Sequence, residues 1–381
     1  MNHLRLIFTS AGMAHDLQFG YLGRMAMAPI PSTEGRSFQT LDALRGVAAL
    51  LVLSRHTPDN SFEHLFRGSY LAVDLFFMLS GFVLAHAYRE RLKGQLSIIE
   101  FMKLRYIRMA PLYLLALALE TIFVVKSASS TGAIGASFLF SLLLLPTPPQ
   151  LSVVAWALFP INHPAWSLFY EILINFIFAL FARILNRLIL AMVIVASMVA
   201  LVVLSYKYGS LDFGATSAGW KAGLVRVSFG FFSGVGVHEI WKSGLLNRAI
   251  PGWILLVGLA ALMSIPGANN ASRVIDPMIV IFGFVPLVLF AANAHAGKRL
   301  TPVFTALGIS SFGVYVLQTP IIHIVEATAS LITSKKFSDL GAMGTVGIAI
   351  LVTGVAIILH HYFDLPVRYY LKRRWTKSRK S

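Results

Sequence analysis

The chain has 381 residues, of which 57% are hydrophobic and only 13% charged, with a mean hydropathy of +0.73. A soluble domain of this size carries roughly twice that charge, so the composition excludes a soluble globular protein and points to a polytopic membrane protein. The formal net charge of +16 lies in short loops and at the C-terminus, where positive-inside bias and anionic lipid explain it better than nucleic acid does, and the lack of cysteine excludes disulfides, thiolate metal sites and a cysteine acyl-enzyme.

Residues 1–36 read as an N-terminal cytoplasmic tail: "LRLIFTSAGMA" is short for a signal-peptide core, His15, Asp16 and Arg24 interrupt the residues after it, and Met25 or Met27 would serve as starts. Apolar segments then run at 39–57, 69–88, 110–127, 133–147, 166–183, 188–206, 222–241, 251–265, 275–294, 303–328 and 341–363. The loop after the second holds Arg89, Arg91, Lys93, Lys103, Arg105 and Arg108, and the tail 368–381 is equally basic, so both lie inside. Two inner ends need an even number of crossings. Segment 133–147, short and running into "PTPP", is the one to treat as re-entrant or interfacial. The expected fold is an all-α helical bundle of about ten transmembrane helices, eleven if 133–147 also spans.

The first span, "LDALRGVAALLVLSRH", carries Asp42, Arg45 and His56. Arg45 and His56 are eleven residues apart, which places them on one helix face about 16 Å apart along the axis. An arginine at membrane depth is costly enough to read as functional by default. Its alternative is a locking pair with a carboxylate such as Asp42. Asp74, in the outer third of the second span, either orients His56 or pairs with an arginine. Glu171, in "HPAWSLFYEILINF", is expected at a depth similar to Asp74, with a helix-packing hydrogen bond as its alternative. Glu120 stands without companions in the third span.

Arg105 and Arg108 are three apart ahead of Pro111 and share a helix face. From spacing alone they set topology and meet lipid phosphate; a fork for a phosphorylated cofactor is the sharper reading. Tyr315 and Gln318, at i and i+3 in "SFGVYVLQTP", line a cavity or glue helices together. His323, His360 and His361 lack metal-ligand spacing with any nearby carboxylate, so no metal is expected.

These residues resemble a known family. The arginine and histidine of the first span, "GSYLAVDLFFMLSGF", "LRYIRMAPLYLL", "AWSLFYEILINF" and "HYFDLPVRYYLKR" match, in order and spacing, the motifs of the membrane acyltransferase family 3, bacterial O-acyltransferases of surface polysaccharides. The resemblance runs from about Ser37 onward, giving an acyltransferase domain at 37–367 as a stand-alone member without an esterase-like domain. Departures are Gln318, where many members carry histidine, Ile172 in place of a second acid, and Asp364 where glutamate is commoner.

The resemblance implies that Arg45 and His56 are needed for transfer, that Arg105 and Arg108 engage acyl-CoA (acetyl-CoA above all) from the cytoplasm, and that the acceptor is a sugar hydroxyl. Joined to the helix geometry, it suggests a pantetheine arm that threads the bundle past Arg45 to a general base, His56, oriented by Asp74 or Glu171, with Trp166, Tyr315 and Gln318 around the substrate. The location expected is the bacterial inner membrane; the partners are membrane lipid, the carbohydrate acceptor and glycan-assembly proteins. A multi-span transporter or flippase is the competing reading, disfavoured because no inverted repeat is evident. A non-catalytic scaffold would leave Arg45 without a reason.

Overall fold

Inside a bilayer the backbone has no water to bond, and this chain satisfies its polar groups with helix. In the computed structural model, which describes residues 38–57, 61–127, 130–245, 249–265, 269–332 and 341–377, no strand occurs among those residues. Residues 1–36 lie outside them. The helices are α1 (Gln39–His56), the short α2 (Ser61–Leu65), α3 (Ala72–Leu92), α4 (Ile98–Ser127), α5 (Thr131–Leu142), α6 (Ala165–Phe181) and α7 (Arg187–Tyr208). They continue as α8 (Trp220–Lys242), α9 (Gly252–Ser264), α10 (Ser272–Ala291), α11 (Thr301–Ile332), α12 (Gly341–Leu359) and α13 (Leu365–Lys377).

Among the described residues six elements are long and apolar enough to cross a membrane: α3, α4, α7, α10, α11 and the rod that joins α12 to α13. That is fewer than the ten or so expected, for a chemical reason. Asp42, Arg45 and Arg55 lie within the eighteen residues of α1, and Arg226, His238 and Glu239 interrupt α8. Helices α5, α6 and α9 are apolar but short. The 12 residues of α5 reach only about 18 Å.

Two boundaries differ from the expectation. The third span was expected from residue 110, yet α4 starts at Ile98. Ser97 and Glu100 form a capping box there: the Ser97 amide donates to Glu100 Oε2 at 2.9 Å and the Glu100 amide to Ser97 Oγ at 3.3 Å. Arg105 and Arg108 therefore sit inside a continuous helix, and Pro111 is carried within it. At the other end, the basic segment from Leu365 to Lys377 is helical, joined to α12 by a π-helical turn over His360–Asp364.

Packing fixes direction. Along α3 and α8, Asp74 meets Arg226, Phe82 meets His238 and His86 meets Trp241, so the two helices run parallel. Glycine makes this possible: a Cβ on Gly234 would overlap the carbonyl of Met78, and one on Gly81 that of Phe231. Replacing Gly234 by leucine should lower stability by at least about 1–3 kcal/mol, read as thermal unfolding in detergent. Gly258→Leu in α9, where a Cβ meets open space, should not. Helices α1 and α11 are apposed through Gly46, packed on the Leu307 backbone, and Gly308, packed on Asp42. This sets Arg45 and His56 of α1 beside Ser311 and Tyr315 of α11.

Candidate active site

Five helices converge on a cavity of about 250 Å³ lined by Asp42 and Arg45 of α1, Ser80 of α3, Arg105 and Arg108 of α4, Ser167 and Glu171 of α6, and Ser311 and Tyr315 of α11. The three arginines predicted for the donor thus share one chamber. Arg45 Nη1 lies 3.3 Å from Asp42 Oδ1, and Arg105 Nη2 donates to Glu171 Oε1 at 2.8 Å. Arg108 has its guanidinium over the Phe312 ring, 5.9 Å from the centroid, and makes no ion pair among the described residues. The chamber therefore offers one guanidinium outside an ion pair, a site suited to a phosphate.

A second cavity, about 90 Å³, is lined by Arg55, His56, Tyr70, His163, Pro164, Trp166, Asp212 and Tyr315 among others. His56 ends α1, and its Nδ1 lies 2.8 Å from the Val52 carbonyl oxygen. A carbonyl only accepts, so Nδ1 carries a proton, and in the neutral ring Nε2 keeps the lone pair of a base.

Tyr315 lines both cavities. Its hydroxyl lies 2.7 Å from Ser167 Oγ, and the Pro164 carbonyl is 3.2 Å from each hydroxyl. Phe76 meets the Tyr315 ring edge-on at 5.3 Å. The buried Tyr315–Ser167 contact therefore lies at the residue the two chambers share.

Neither carboxylate expected to orient His56 touches it. Asp74 is held by Arg226, with Nη2 2.6 Å from Oδ2 and Nε 3.1 Å from Oδ1, both side chains 1% exposed. Arg226 also donates to the Phe213 carbonyl at 2.6 Å, and its guanidinium stacks over Trp166 at 5.5 Å. Of the two alternatives for Asp74, the arginine partner is the one present. Glu171 does not lie level with Asp74: it accepts from Ser80 at 3.0 Å, and Ser80 is six residues, about 9 Å, further along α3. Trp166 occupies the level of Asp74, and the Val52 carbonyl does the orienting of His56.

Gln318 is fully buried with both amide atoms unpartnered among the described residues, and it lines neither cavity. Glu120 does have a companion: His323 Nδ1 lies 2.8 Å from its Oε1. His360 is paired with Asp364, which also holds Arg368. Among the described residues no group of three or more histidines and acids could hold a metal ion.

Sequence reasoning missed Arg226 and His163. Arg226 carried the same signal as Arg45, an arginine inside an apolar span. His163 gave none, because a histidine in a loop before a helix is unremarkable until the fold turns it toward His56.

Comparison with known proteins bears on the chemistry. "Protein 2 in picA locus" of Rhizobium radiobacter is 41% identical over 157 residues, covering 37% of this chain and 81% of that protein. "Acyltransferase MdmB" of Streptomyces mycarofaciens is 25% identical over 377 residues, covering 88% and 92%. No solved structure matches. The family model described as acyltransferase domain matches residues 38–361, from the first described residue to the second histidine of the π-helical turn. That match spans most of the helical body, and the chain belongs to acyltransferase family 3.

Proposed function

We propose that the protein is a membrane-bound O-acyltransferase that moves an acyl group, acetyl first of all, from cytoplasmic acyl-CoA to a hydroxyl of a surface or exported carbohydrate across a bacterial inner membrane. The observation that carries this reading is the pair of chambers meeting at Tyr315, one rich in arginine and one holding His56. The nucleotide phosphates bind Arg105 and Arg108 on the inner side. The pantetheine arm passes Arg45 and displaces the Tyr315–Ser167 contact, so that the thioester reaches His56. His56 Nε2 takes the acceptor's hydroxyl proton as the oxygen attacks the thioester carbon. The tetrahedral adduct then expels the CoA sulfur, which receives that proton from the imidazolium.

Ten crossings, α1, α3, α4, α6, α7, α8, α9, α10, α11 and α12, fit this path and leave both basic ends inside. The parallel course of α3 and α8 supports that count. Parallel helices require an odd number of crossings between them; α4, α6 and α7 supply three, and a spanning α5 would make four. The positive loops then meet anionic lipid and the cytoplasmic donor, while the glycan and any glycan-assembly protein lie outside.

The test is acyl transfer by the purified protein in proteoliposomes, with acetyl-CoA added to one side and acceptor glycan to the other. Product that depends on acetyl-CoA supports the reading; vectorial movement of glycan without acyl transfer overturns it in favour of a transporter. Arg108→Gln should raise KM for acetyl-CoA by about 10- to 100-fold, the loss of one charged hydrogen bond. The same variant should leave KM for acetyl-pantetheine, which lacks the nucleotide, unchanged.

A further inference from the structure

The outer cavity holds a second imidazole that this path does not use, and the role assigned to it rests on the acyl-transfer reading. A transferring site needs a hydrogen-bond donor where the thioester oxygen gains charge. Nearly every donor lining the cavity is committed elsewhere. Tyr315 and Ser167 have two hydroxyl protons between them, and both are consumed by their mutual contact and the Pro164 carbonyl. The two terminal nitrogens of Arg55 pair with Glu63 and Asp212, and the Tyr70 hydroxyl donates to Asp276 at 2.6 Å. His56 spends its one N–H on Val52.

His163 Nε2 is different: it is buried and has no hydrogen-bond partner among the described residues. Leaving such an atom unpaired carries a desolvation cost that a substrate partner would remove. The ring is braced against Trp156, 5.6 Å between centroids, and the next residue, Pro164, caps α6. Burial pushes its pKa down to about 4, and the neighbouring His56 acts in the same direction. At neutral pH the ring is uncharged, a poor base but a competent donor.

We propose that His163 is a second catalytic residue, whose Nε2–H donates to the thioester carbonyl oxygen and holds the oxyanion as the acceptor attacks. The C–O bond forms while the hydroxyl proton goes to His56. The C–S bond breaks while that proton passes to sulfur, and His163 keeps its own proton throughout.

The test compares His163→Phe, which preserves the ring contact with Trp156, with His163→Gln, whose amide N–H reaches a similar position. His163→Phe should lose about 10²–10³ in kcat, with KM for acetyl-CoA unchanged and thermal stability near wild type. His163→Gln should stay within about tenfold of wild type, whereas His56→Gln, which supplies no base, should not. Wild-type kcat in His163→Phe overturns the proposal, as does His163→Gln being as inactive as His163→Phe while both are folded. If His163 variants turn over normally and His56→Ala is inactive, only this inference fails. If His56→Ala turns over normally, the transfer reading itself fails.

Discussion

His56→Ala should lose acyl transfer by about 10²–10⁴ in kcat while binding acetyl-CoA as tightly as the wild type. The reason is positional. The donor nucleotide is assigned to Arg105 and Arg108 in the inner chamber, and His56 lies in the outer one beyond Tyr315. Base and donor site are therefore separable by mutation. Kinetics in proteoliposomes and a direct binding measurement with acetyl-CoA check the two halves independently. Transfer at the wild-type rate in the alanine variant would remove His56 from the mechanism.

Asp74→Ala should destabilise the fold by about 3–5 kcal/mol, because it leaves Arg226 buried and uncompensated. The guanidinium cannot reach water: it is 1% exposed and lies between Trp166 and Phe213. Replacing both partners, Asp74→Leu with Arg226→Met, should recover most of that loss, since a buried pair often does little better than apolar residues of matching volume. Thermal unfolding of the three variants in detergent reads this directly. A double variant no more stable than the single would show that the loss comes from packing and not from the stranded charge. Transfer should fall with the single variant too, because Trp166, which lines the outer cavity, rests on Arg226.

How much of this was legible in the sequence depends on which physical rule each feature obeys. Arg45, Arg105 and Arg108 stood out because a charge in an apolar helix is expensive, and the fold brings all three to one chamber. The partners of the acids were not legible. Helical periodicity gives the face of Glu171 or Asp74, but the register between helices decides which arginine each one meets. That register depends on glycine contacts such as Gly234 on Met78, which pattern alone does not rank. The start of α4 was written in Ser97 and Glu100, yet the dense positive charge around it reads more loudly as a loop. The same charge criterion that marked Arg45 also makes α1 and α8 poor candidates by hydropathy, although they form the middle of the bundle.

The Tyr315–Ser167 contact carries a further consequence for the cell. An enzyme that works through a membrane risks shorting it, since water-lined chambers on both sides need only meet to let protons run down their gradient. Two hydroxyls and a proline carbonyl, with Phe76 against the ring, cluster at Tyr315, the residue both chambers share, and on the proposed path they close the gap between them. On the proposed path this plug yields only to a pantetheine arm of matching girth, so the substrate replaces the insulation it displaces. Energy coupling is then protected at every stage of turnover by whichever of the two, side chain or cofactor, occupies the gap.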